Sequence, residues 1–244
     1  LINLIAVFFF LPESLTDERR AAIAMQKKPP FTLGALWQAL NRPRVGPLLH
    51  TRFFFSLAFA TFQSIFALYA QSRLQLSPQS TGYVLAYVGL LSVFVQGFAV
   101  GKLSARFPEN QIIFVASIVM TFALVGWAVA PNLITVLVVL APMAFAGGTL
   151  NTVLSSALTK SIYPEEIGGT LGLAASVESL TRVIAPTAGG FLFEFLGFWA
   201  PGVLSAGLMA WDVSFVWRRL IVNPDPPLPA RGTPGIYGTP AGLA

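Results

Sequence analysis

From Asn110 to Thr159 the chain runs for 50 residues without a single Asp, Glu, Lys or Arg. A lipid bilayer calls for such a run, because a helix that crosses it needs about 20 mostly apolar residues. Fifty is too many for one crossing, and Pro131-Asn132 divides the run into segments of about 110–130 and 133–159. Composition points the same way. Hydrophobic residues make up 55% of the 244 and charged ones only 10%, against about 25% charged in a soluble domain. The mean hydropathy is +0.71. These values exclude a soluble globule and a disordered chain, and the absence of cysteine excludes a disulfide scaffold. The chain reads as an all-α integral membrane protein.

Other charge gaps mark further spans. Twenty uncharged residues lie between Arg52 and Arg73, and 28 between Arg73 and Lys102. Two later stretches, about 168–196 and 198–220, are apolar apart from a few charges and are separated near Gly197. Six complete transmembrane helices are therefore expected, at about 47–71, 80–104, 110–130, 133–159, 168–196 and 198–220. Residues 1–11 are apolar but cover only half a bilayer, and they lack the basic start of a signal peptide. They read as the end of a truncated transmembrane helix, which makes the chain a fragment. The expected organisation is that half-helix at 1–11, a cytoplasmic linker loop at 12–46, a six-helix bundle at 47–222 and a disordered Pro/Gly-rich tail at 223–244. Within the linker, residues 33–40 suit a short amphipathic helix on the inner interface or an ordinary connecting loop.

Thirteen of the fifteen Lys and Arg fall on one side of this layout, before the first span, after the second and fourth, and in the tail. Arg73 is alone on the other side and Arg182 lies within the fifth span. The asymmetry places the linker and the C-terminus in the cytoplasm. The net charge of +5 then suits anionic membrane lipids as a partner. Nucleic acid is not an expected partner, since no aromatic RNA-binding motif or zinc-finger spacing accompanies the basic residues.

Enzyme chemistry finds little support. With no cysteine and one histidine, His50, a zinc site would need mostly carboxylates. No metal, cofactor or catalytic residue is expected. Gly168-Gly169-Thr170-Leu171-Gly172 lacks the Lys-Ser/Thr of a phosphate loop. Gly168 and Gly172, and Gly147-Gly148 between Ala144 and Thr152, have instead the spacing that lets membrane helices approach closely.

The informative residues are ionisable groups inside spans, because such groups are costly in lipid and face a cavity or a partner. Glu178 and Arg182 stand four residues apart on one face of the fifth span, suited to pairing. The pair reads equally as a packing device or as a proton- or substrate-handling site. Asp212 in the sixth span lies about 12 Å from its inner end and Glu178 about 15 Å from that of the fifth, so the two acids share a depth. Snorkelling of Asp212 towards Arg218 is the rival reading. Gln63, Gln96 and Asn151 are further polar candidates, whose commoner fate is interhelical hydrogen bonding.

Three motifs together resemble the major facilitator superfamily of transporters. Phe8-Phe9-Phe10-Leu11-Pro12-Glu13-Ser14 is similar to the end of the sixth helix in the drug/proton antiporter branch, including its tetracycline-efflux type. Gly101-Lys102-Leu103-Ser104-Ala105-Arg106 resembles the gating-loop motif of the second half, with Ala105 in place of the acid. Arg182-Val183-Ile184-Ala185-Pro186-Thr187-Ala188-Gly189-Gly190 resembles the eleventh helix, where Pro186, Gly189 and Gly190 would allow bending and close packing. The resemblance implies the second six-helix half of such a transporter, whose substrate site lies at the interface between halves near the midplane.

It implies proton-coupled efflux of a small organic molecule by alternating access, with Glu178 or Asp212 exchanging the proton. Its partners would be membrane lipids, the substrate and the missing N-terminal half, in the same polypeptide or a partner chain. A bacterial-type inner or plasma membrane is the expected location, and a thylakoid or organelle membrane satisfies the same composition. The alternative is a non-transporting scaffold or assembly subunit derived from a transporter half.

Overall fold

The computed structural model describes residues 40–226. The expectations for residues 1–39, including the half-helix and the Pro12-Glu13-Ser14 motif, lie outside the described residues, as does the tail beyond 226. Six helical rods make up the described part: α1 Val45–Leu74, α2 Pro78–Arg106, α3 Glu109–Val129, α4 Leu133–Lys160, α5 Ile167–Leu196 and α6 Ala200–Val216. No strand occurs among the described residues. The fold is all-α, and α1 to α4 are each long and apolar enough to cross a membrane. The other two are more polar or shorter: α5 carries Glu178 and Arg182 among many Gly, Ser and Thr, and the α-helical part of α6 has 17 residues.

The connections are short, which makes consecutive helices antiparallel neighbours. Ser77 caps α2 by accepting from Ser80 N–H at 3.2 Å, with Pro78 fixing the first turn. Asn132 does the same for α4, accepting from Thr135 N–H at 3.0 Å. Gly197 takes φ +100 at the α5–α6 turn, a conformation that favours glycine. π turns occur at Val95–Ala99 within α2 and at Trp217–Val222, which continues from the end of α6.

α1 lies at the centre, packed on α5 and α6, while α3 packs on α4 and α6 and α2 rests mainly on α4. Aromatic residues join α1 to α3. Trp127 meets Phe62 edge-on at 5.0 Å and Tyr69 at 5.5 Å, and Tyr69 donates its hydroxyl proton to the Ala130 carbonyl at 3.1 Å. Small residues set the closest approaches. A Cβ on Gly189 of α5 would stand 2.8 Å from Ile65 of α1, and one on Gly202 of α6 would stand 2.8 Å from Ala128 of α3.

The spans differ from expectation at their charged ends. Arg52, counted with the basic residues before the first span although 47–71 contains it, lies seven residues inside α1 with 9% of its surface exposed. Gly101, Lys102 and Arg106 belong to the last turns of α2 rather than to a loop, and the chain leaves the helix only at Phe107-Pro108. All three are exposed. Gly168, Gly172 and Gly190, expected at close helix contacts, would place a Cβ in open space. None of the three makes a close helix contact among the described residues. Pro186 sits inside a continuous α5 with its ring exposed.

Candidate functional site

Helical periodicity gathers polar groups from four rods around one cavity of about 210 Å³. α1 contributes Phe55, Ser56, Phe59, Ala60 and Gln63, spaced three and four residues apart and so on one face. α2 adds Ser92 and Gln96, α4 Gly147, Gly148 and Asn151, and α5 Glu178, Thr181 and Arg182. Gln96 belongs to the π turn, whose wider coil departs from the α register of the rest of α2. Gly148 lets that turn come close: a Cβ there would stand 3.3 Å from Val95 and 3.4 Å from Gln96. Gly147 admits Phe59 and Met120 in the same way, at 3.3 and 3.4 Å.

The ion pair at this cavity is not the one that sequence spacing suggests. Glu178 accepts from Arg52 Nε at 2.8 Å and is also paired with its Nη2, whereas Arg182 makes no ion pair among the described residues. The expectation of a Glu178–Arg182 pair is thereby corrected. The reason is packing: α1 lies against α5, and Arg52 reaches the carboxylate from across that contact. Arg52 is held on α4 as well, donating to Ser155 Oγ at 2.9 Å and to Asn151 Oδ1 at 3.5 Å. One guanidinium thus ties α1, α4 and α5 together beside the cavity.

Asp212 lies elsewhere. Its residue is wholly buried, so it does not snorkel towards Arg218, and it does not line the cavity. Ser117 Oγ of α3 stands 3.5 Å from its Oδ2, and the buried Thr51 of α1 is its other polar neighbour. Neither Oδ1 nor the Thr51 hydroxyl makes a well-formed hydrogen bond. The two acids share an expected depth but not a compartment. His50 stacks on Phe215 at 4.0 Å, on the same side of α1 as Asp212's helix.

Five of the six proposed handling residues therefore meet at one cavity: Gln63, Gln96, Asn151, Glu178 and Arg182. Arg52 is the participant that sequence reading missed, because its charge was counted with the cytoplasmic ones. Its position three and four residues before Phe55 and Ser56 was the available signal. No group of three or more metal-ligating side chains is found among the described residues.

Comparison with known proteins gives the family. The Major Facilitator Superfamily profile matches residues 1–186. Rat solute carrier family 22 member 18 is 34% identical over 169 residues, covering 68% of this chain and 40% of that protein. The class H tetracycline resistance protein of Pasteurella multocida is 26% identical over 144 residues, covering 56% of this chain and 34% of its own length. Among solved structures, the human organic anion transporter MFSD10 superposes with a TM-score of 0.65 at 19% identity, over 80% of this chain and 44% of that one. The chain belongs to the Major Facilitator Superfamily, and it is a multi-pass membrane protein. It spans less than half the length of each of these relatives.

Proposed function

We propose that this chain forms one half of a secondary active transporter that exports a small organic molecule in exchange for protons, by alternating access. The observation that carries the reading is the convergence of Gln63, Gln96, Asn151, Glu178 and Arg182, from four helices, on one cavity beside the Arg52–Glu178 pair. Gln63, Gln96, Asn151 and Arg182 are exposed, so the described helices wall the cavity on one side only. A second six-helix half, in the same polypeptide or a partner chain, would close it. The arrangement fits a site between rocking halves.

Glu178 is the proposed coupling residue. Protonation would cancel its charge, release Arg52 and loosen the tie between α1, α4 and α5. Deprotonation would restore the tie. The resemblance to tetracycline resistance proteins supports the efflux direction and the choice of proton. Membrane lipids surround the rods, and the basic end of the bundle is proposed to face the cytoplasm.

The test uses proteoliposomes of the intact protein with a pH dye inside. At least one of tetracycline, tetraphenylphosphonium and p-toluenesulfonate is expected to evoke proton flux, and Glu178→Gln to abolish it. Flux that persists unchanged in Glu178→Gln, or no flux with any of the three, overturns the reading.

A further inference from the structure

We infer that the cavity takes an organic anion, with one negative charge held by Arg182 and an apolar body resting on Phe59. The inference rests on the transport reading above and adds the class of substrate. Its first support is the charge balance around the cavity. Arg52 and Glu178 neutralise each other through two contacts to one carboxylate oxygen, and Arg52 is further committed to Ser155 and Asn151. Arg182 lines the same cavity and no carboxylate among the described residues lies within ion-pair reach of it. Among the described residues one positive charge is left over. In a membrane-embedded body such a charge calls for a counter-ion or water.

The second support is the inventory of donors and acceptors. Gln63 and Gln96 are exposed and make no hydrogen bond to the described protein, and the Asn151 amide uses only its oxygen, as acceptor from Arg52. Their amide N–H groups and the Arg182 guanidinium are free to donate. The single carboxylate is already neutralised. An anionic group only accepts, so it can take these donors and offset the Arg182 charge, whereas an ammonium ligand would find amide oxygens and a Glu178 whose charge Arg52 already balances. Phe59, backed by the buried Phe55 on which it stacks at 5.7 Å, supplies an apolar platform of about the width of one aromatic ring. The side of the cavity that these helices form holds about 210 Å³, room for at least one ring.

The test measures binding of three matched single-ring probes to the intact protein in lipid nanodiscs, by thermal stabilisation. The probes are p-toluenesulfonate, p-tolyltrimethylammonium and the neutral p-toluenesulfonamide. The sulfonate is expected to bind at least about ten-fold more tightly than either of the others. Arg182→Gln should erase that preference, and Arg182→Lys should retain part of it. Tighter binding of the ammonium, equal binding of all three, binding of none, or a preference that survives Arg182→Gln would each overturn the inference. The comparison of probes on the unmodified protein decides the matter even if Arg182→Gln fails to fold. Because the proton-flux test does not depend on which probe evokes flux, the transport reading can stand while the anion assignment falls.

Discussion

The cavity depends on one arginine that serves three helices. Removing either member of the Arg52–Glu178 pair leaves the other charge partly buried without compensation, which costs more than removing both. Arg52→Gln and Glu178→Gln should therefore each destabilise the protein, and the double variant should recover about 1–3 kcal/mol relative to the sum of the two. Denaturation midpoints of the four proteins in one detergent would show it, and simple additivity would mean that the pair contributes nothing. Asp212 should behave differently. With Oδ1 unpartnered and the residue wholly buried, Asp212→Asn keeps the shape and leaves no carboxylate to bury. It should melt within a few degrees of the parent and bind the cavity probes unchanged. The sequence shows that Glu178, Arg182 and Asp212 are unusual, because any charge inside a span is. It does not show which of them meet, because Arg52 and Glu178 are 126 positions apart and only the packing of α1 on α5 brings them into reach.

At the scale of helices, close approach depends on which face a glycine occupies. Gly189 and Gly190 are neighbours in sequence, yet one is pressed on Ile65 and Thr61 of α1 and the other has nothing within 4 Å. Gly189→Val should overpack the α1–α5 contact and cost about 1–3 kcal/mol. Gly190→Ala should be neutral or stabilising by about 0.5–1 kcal/mol, since glycine weakens a helix interior. Thermal melts of the two variants separate these outcomes, and equal effects would contradict the packing described for α5. Helix existence and number are legible in the sequence because charge gaps and Pro/Gly punctuation follow from bilayer thickness. Helix facing is not. Phe55, Ser56, Phe59 and Gln63 line the cavity as a regular helical stripe that Arg52 continues towards the inner end, but counting Arg52 with the cytoplasmic charges hid its first member.

At the scale of the whole molecule, the described helices form one side of a site, and the proposed orientation puts their basic end in the cytoplasm. Ser161 follows α4 at the end rich in Lys and Arg, and Ser77 precedes α2 at the opposite end. On a background free of cysteine, Ser161→Cys should react with a membrane-impermeant maleimide only from the cytoplasmic side and Ser77→Cys only from the other. The reverse pattern would invert the proposed topology without affecting the fold. Alternating access is the central claim, and Asn151 is placed to test it, since it is exposed in the cavity beside the ion pair. The decisive measurement is the reaction rate of Asn151→Cys in the intact protein with an impermeant maleimide added to one side at a time, under opposite pH gradients. The account predicts that the side giving fast modification switches when the gradient is reversed, and that Glu178→Gln abolishes the switch. Modification from the same side under both gradients, or a switch that persists in Glu178→Gln, would contradict it.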